Sequence, residues 1–255
     1  MKKVITALFV AALVSVHGFA LEFILTPTIG YSHLNFTGAS PLRRFDFASM
    51  PGFGILSTQA SSVEMQPRLS SSINAMSIGL AMGTVARNGF TFMWNNDIAL
   101  LGSGTATLEF PDINNLKFDL DASLKKGVAF EQTFIFGRTF KAAADKLYIN
   151  IGSGLAWGVA KINLKKEIKG ITIYSKDIYD FNVGIPIQVG LQYFFTKNIG
   201  LNLTVSDVIS LGISGGRDFP LPALPLKGSS SYSGQTFFYG FENVFTAKLG
   251  PVFKF

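Results

Sequence analysis

The stretch from Phe181 to Phe195 restricts this chain more than any other. Phe181, Val183, Ile185, Ile187, Val189, Leu191, Tyr193 and Phe195 fall on one parity, and Asn182, Gly184, Pro186, Gln188, Gly190 and Gln192 on the other. A two-residue period is that of a strand. Half-buried soluble strands also alternate, but they usually stop after five or six residues. This one holds its period for fifteen residues, long enough to cross a bilayer at a tilt.

Seven further segments follow the same rule. The first runs from Leu21 to Tyr31, and the others cover 72–83, 89–101, 127–140, 147–160, 199–211 and 237–255. The connections between the eight alternate strictly. Short ones lie around Val85 to Asn88, Lys141 to Lys146 and Thr196 to Asn198. Long ones lie around Asn35 to Ser71, Gly102 to Lys126, Lys161 to Asp180 and Gly212 to Thr236. A two-sheet sandwich has no reason to keep that alternation and would bury its aromatic faces against a second sheet. The expected fold is therefore an all-β, eight-stranded antiparallel up-and-down transmembrane β-barrel with four long outer loops and three short periplasmic turns. Trp94, Tyr193 and Phe255 then fall near the short-turn end, and Tyr31, Trp157 and Tyr239 near the loop end, where aromatic girdles meet the two interfaces.

Composition agrees. The chain is 48% hydrophobic with 25 Phe and 26 Gly, yet after the first twenty residues no stretch is long enough for a membrane helix. Those twenty residues read as a cleaved secretory signal peptide: Lys2 and Lys3, an apolar run from Val4 to Val14, and small residues at Gly18 and Ala20. The barrel domain is then 21–255. There is no cysteine, so neither disulfides nor thiolate metal sites are available. The formal charge of +6 becomes +4 once Lys2 and Lys3 are removed, and its dispersal gives no nucleic-acid footprint.

The last residues, "KLGPVFKF", carry the strand period to the final atom. Lys248, Gly250, Phe253 and Phe255 resemble the C-terminal assembly signal of outer-membrane barrels. That resemblance implies recognition by the barrel-assembly machinery, through strand addition to an exposed edge. The whole of 21–255 looks like a small outer-membrane barrel of the OmpW/OmpX type. Its opening "ILTPTIGYSHLNF" resembles an uncharacterised family of spirochaete outer-membrane barrels. The likeness implies residence in the bacterial outer membrane, in contact with its lipid, and work as a monomer. OmpW-like proteins are associated with passage of small hydrophobic molecules, OmpX-like ones with adhesion and defence.

Candidate sites are few. His33, beside Ser32, is the sole histidine after the leader; neighbouring strand residues point to opposite faces, which argues against a Ser–His pair. No cofactor, metal or catalytic site is expected. The inward charges are Glu22, Asp97, Glu131, Glu242, Lys248 and Lys254, with Asp97, Glu131 and Glu242 at similar heights. They read either as an ion-lined constriction or as a polar network filling a narrow lumen, with the second favoured because eight strands enclose just enough room for side chains. Arg138 has outward parity beside a short turn, where it can snorkel. In the fourth loop, Phe219, Leu221, Leu224 and Leu226 form a proline-stiffened apolar segment suited to a lid or a partner contact. In the first loop, Arg43 and Arg44 suit phosphate headgroups or acidic glycans. For both loops, simple packing of loop on loop is the alternative. The third loop is expected to prolong the wall as a hairpin. The leading functional expectation is a non-enzymatic, narrow conduit for small hydrophobic solutes. The alternative is a surface module binding host ligands or envelope components.

Overall fold

The structure, a computed structural model, describes residues 21–41, 43–45, 63–110, 116–122, 127–168, 171–217 and 235–255. Its strands are β1 (Leu21–Ala39), β2 (Arg43–Phe45), β3 (Val63–Met65), β4 (Arg68–Ala86), β5 (Phe90–Phe110), β6 (Leu116–Ala122), β7 (Val128–Ala142), β8 (Leu147–Ile168), β9 (Ile171–Phe194), β10 (Ile199–Arg217) and β11 (Gln235–Lys254). Eight of them, β1, β4, β5, β7, β8, β9, β10 and β11, pair antiparallel in that order, and β11 pairs back onto β1. The ring is closed, so no wall strand is left as an edge. One hydrogen-bonded row runs Leu80, Asn96, Gln132, Trp157, Val183, Leu211, Phe241, Thr37, Ser70. It returns to β4 displaced by 80 − 70 = 10 residues, the stagger that tilts the strands of a closed barrel.

The alternation expected for Phe181 to Phe195 holds. The eight apolar residues of that run point outward and are 43–63% exposed. Among the described residues nothing covers them, so the outward face is an apolar belt that water alone would not tolerate. At the short-turn end Arg138 Nη2 donates to Asn88 O at 3.4 Å, tying an outward cation to the β4–β5 turn.

The long connections are shorter than the sequence suggested, because the wall continues beyond the belt. β1 extends to Ala39 rather than Tyr31, β4 starts at Arg68 rather than 72, and β5 reaches Phe110. The third loop is the hairpin expected, with β8 and β9 paired out to Ile168 and Ile171. The second long connection, expected around Gly102 to Lys126, contributes β6, which pairs with β5 and, at Asp121 and Ala122, with β8. β6 thus takes over the place in the wall that β7 leaves at Val128. A bulge between Gly104 and Leu101 of β5, against Ile73 and Ala75 of β4, re-phases β5 at this level.

The physical reason for the extension is a change of surroundings. Within the belt the strands are apolar outside and polar inside. Above it the faces exchange character. On β1 Leu34 and Phe36 turn inward and Asn35 and Thr37 outward; on β4 Leu69 and Ile73 turn inward and Ser70 and Ser72 outward. On β8 Ile162 and Leu164 are buried while Lys161 and Asn163 face out. These inward side chains, with Leu101, Leu108, Ile178, Val208, Phe238 and Val244, form one apolar core inside the outer part of the ring. The outer section is therefore built like a water-soluble barrel, standing on one built for an apolar solvent.

Candidate functional site

The lumen is layered. At the short-turn end Tyr148, Phe194, Ile24, Val85 and Val252 close the ring from inside. The Tyr148 and Phe194 rings meet edge to face with centroids 4.9 Å apart. Lys254 Nζ sits 4.9 Å from the Tyr148 centroid and 4.7 Å from that of Phe194. It also donates to Tyr148 Oη at 2.9 Å, and Tyr148 Oη donates to Glu22 Oε2 at 2.9 Å. Lys141 Nζ completes the chain at 2.9 Å from Glu22 Oε1. Glu22 and Lys254, expected among the lumen charges, thus belong to an aromatic floor.

Above the floor lies a neutral polar layer. Asn95 Nδ2 donates to Thr133 Oγ1 and to Gln188 Oε1, both at 2.8 Å, and Thr139 links Thr91 to Asn150. The charged layer comes next. Asp97 and Glu131 are direct cross-strand partners on β5 and β7. Lys248 crosses from β11, its Nζ 2.7 Å from Asp97 Oδ2, with both side chains almost fully buried. Asn182 Nδ2 donates to Glu242 Oε2 at 2.8 Å, and Asp180, two residues before Asn182 on β9, is also buried on the inward face. Asp97, Glu131 and Glu242 all border one cavity, together with Ser32, Leu34, Asn182 and Thr246. The cavity leaves about 30 Å³ for the centres of water molecules, room for one or two.

Of the inward charges expected from the sequence, the structure brings Asp97, Glu131, Glu242 and Lys248 together. It adds Asp180, which the sequence reading left in the third loop; carrying the period one residue back from Phe181 would have turned it inward. His33 faces outward, its Nδ1 2.7 Å from Asn74 Oδ1, which also accepts from Tyr31 Oη at 2.5 Å. Ser32 points the other way, into the lumen, 3.2 Å from Thr246 Oγ1. Phe219, Leu221, Leu224 and Leu226, like the leader 1–20, lie outside the described residues. Arg43 and Arg44 form β2 with their backbone, opposite Met65 and Glu64, and their side chains lie outside the description.

The closing seam carries a feature that only the register exposes. Phe23 and Phe255 exchange backbone hydrogen bonds of 3.2 and 2.9 Å, so odd-numbered β1 residues turn their N–H and C=O groups towards β11. The pairing Leu25 with Phe253 and Ile29 with Leu249 keeps one constant sum, 278, which sets Pro27 opposite Pro251. Neither proline has an N–H to give. Two ladder bonds are missing at one position, and the pairing lapses between Leu25 and Ile29.

A closed ring with an apolar outer belt, a filled lumen and connections long at one end and short at the other defines a small β-barrel of the outer-membrane type. The chain belongs to the family described as Domain of unknown function (DUF2715), whose model matches residues 19–255. No curated protein matches it. Among solved structures it is similar to the outer membrane protein OprG from Pseudomonas aeruginosa, with 12% identity, a TM-score of 0.49 and coverage of 93% of this chain and 97% of that one. It is also similar to the outer membrane protease OmpT from Escherichia coli, with 10% identity, a TM-score of 0.49 and coverage of 92% and 96%. For Ail, the attachment invasion locus protein of Yersinia pestis, the values are 11%, 0.35, 91% and 98%.

Proposed function

We propose that this protein sits in the bacterial outer membrane and acts at its outer end. Its first and fourth loops are the surface-interaction module. The observation that carries this reading is the exchange of polarity along the wall. From Tyr179 to Ile171, β9 rises eight residues beyond the belt, about 26 Å of strand at ~3.3 Å per residue. The apolar core, which reaches Leu164 of β8 and Ile178 of β9, supports the base of that extension. A filled lumen, bounded by the aromatic floor and the buried Lys248–Asp97 pair, argues against passage straight through. Arg43 and Arg44 give the first loop a chemistry for acidic glycans or phosphate-bearing headgroups. Proteoliposomes carrying the refolded chain should bind an immobilised sulfated glycan. Arg43→Ala with Arg44→Ala should weaken that binding about tenfold, roughly 1.4 kcal/mol. Binding unchanged by this pair and by trimming residues 218–234 would sink the reading.

A second reading, passage of small hydrophobic solutes, draws support from the proline seam. Pro27 and Pro251 both face the belt, and the inward residues around them, Thr28, Gly30 and Gly250, are small. A solute reaching the cavity from the outer side could leave here sideways into lipid. Pro27→Val with Pro251→Val restores two N–H donors, and should stabilise the barrel by about 1–3 kcal/mol at ~0.5–1.5 per bond. It should also abolish uptake of a small hydrophobic dye into liposomes bearing the protein. Absence of uptake by the unaltered protein, or equal uptake by both, removes this reading.

A further inference from the structure

The cavity of the charged layer is lined mainly by hydrogen-bond acceptors. Asn182, only 5% exposed, has committed Nδ2 to Glu242, so its amide turns Oδ1 towards the Gly158 wall of the cavity; that oxygen is buried without a hydrogen-bond partner. Asp97, 6% exposed, has one oxygen on Lys248; its other, Oδ1, has no partner and lies over Gly79 of β4, away from the Asn182 side of the cavity. Glu131 and Glu242 add carboxyl oxygens, and the Ser32 and Thr246 hydroxyls, engaged with each other, keep lone pairs to offer. In this section four carboxyl groups, Asp97, Glu131, Asp180 and Glu242, meet one ammonium, that of Lys248, which is paired with Asp97.

Buried carboxyl oxygens without donors are costly unless a cation, a proton or water satisfies them. We infer that the cavity binds one small monovalent cation, of the size of sodium or potassium, which keeps part of its water shell. The ligand set is oxygen only, the preference of hard cations. The space, about 30 Å³ for water centres, takes an ion with a water and nothing much larger. Among the described residues no three acidic or histidine side chains converge closely enough to cage a bare metal ion, and the space is too small for the several waters that a magnesium ion keeps, which favours a singly charged ion with a single water. The ion would lock β5, β7, β9 and β11 together across the lumen, adding to the link that Lys248 makes between β5 and β11.

Urea unfolding of the refolded chain 21–255 in detergent micelles tests this. At fixed pH and fixed ionic strength, replacing N-methylglucammonium by sodium or potassium should raise the unfolding midpoint, because the bulky cation cannot enter. Glu131→Gln should lose that rise, whereas Asp207→Asn, which removes an acid from the outward face, should keep it. Should Glu131→Gln fail to fold, Gly158→Ala serves instead: its methyl would stand 3.0 Å from Asn182 Oδ1, crowding the ion while leaving every charge in place. Equal midpoints in all three salts, or a full sodium effect in the cavity variants, would overturn the inference.

Discussion

Replacing Lys248 by Met should destabilise the barrel by about 3–5 kcal/mol, the usual penalty for breaking a buried ion pair from one side. The side chains of Lys248 and Asp97 are 5% and 8% exposed and 2.7 Å apart, so no bulk water is at hand to take over when the ammonium is gone. Methionine fills much of the same volume, which keeps the loss electrostatic rather than a matter of packing. Asp97→Asn should cost a comparable amount by stranding the ammonium instead. The double variant should recover more than half of the single losses, because the penalty arises from the uncompensated charge and not from the absence of the pair. Urea midpoints in micelles, with the loss of heat-modifiable gel mobility as a second readout, check all three. Additive losses in the double variant would mean that the two residues act independently, contrary to the geometry.

The belt was legible in the sequence because an apolar solvent selects an apolar residue at every second position without interruption. Phe181 to Phe195 shows this most plainly. The outer extension was not, although its period is just as regular. From Leu34 onward β1 keeps alternating, but the apolar parity moves from odd to even, and a search for one continuous apolar face reads that exchange as the end of the strand. The same exchange hid the outer parts of β4 and β8. β6 was lost for a different reason: it joins the wall only because β7 stops short, which no local pattern announces. Asp97, Glu131, Glu242 and Lys248 were readable as inward residues from parity alone. Their assembly around one cavity was not, since it depends on contacts such as Lys248 to Asp97, 151 residues apart. Pro27 and Pro251 were visible as prolines in strands. Only a register fixed by closure of the ring sets one against the other.

The aromatic floor holds the other large expected effect. Tyr148 is fully buried, packs edge to face on Phe194 and joins Lys254 to Glu22 through its hydroxyl. Tyr148→Ala removes a large ring from a site whose neighbours are pinned on separate strands, β1, β4, β9 and β11, of a closed ring. Such a wall cannot collapse into the space, so the loss should fall near about 3–5 kcal/mol, the range for truncating a buried aromatic. Tyr148→Phe separates packing from hydrogen bonding. It keeps the ring against Phe194 and the face offered to Lys141 and Lys254, whose Nζ atoms lie 5.0 and 4.9 Å from its centroid, and gives up only the hydroxyl. Glu22 retains its ion pair with Lys141, so the expected loss is smaller, about 1–3 kcal/mol. Neither variant should open the lumen, because the Asn95–Gln188 layer and the Lys248–Asp97 pair close it independently farther up. Planar-bilayer recordings of Tyr148→Ala should therefore show no ion conductance. A conducting Tyr148→Ala barrel would mean that the floor alone seals the lumen, and that the charged layer lines an open path rather than a plug.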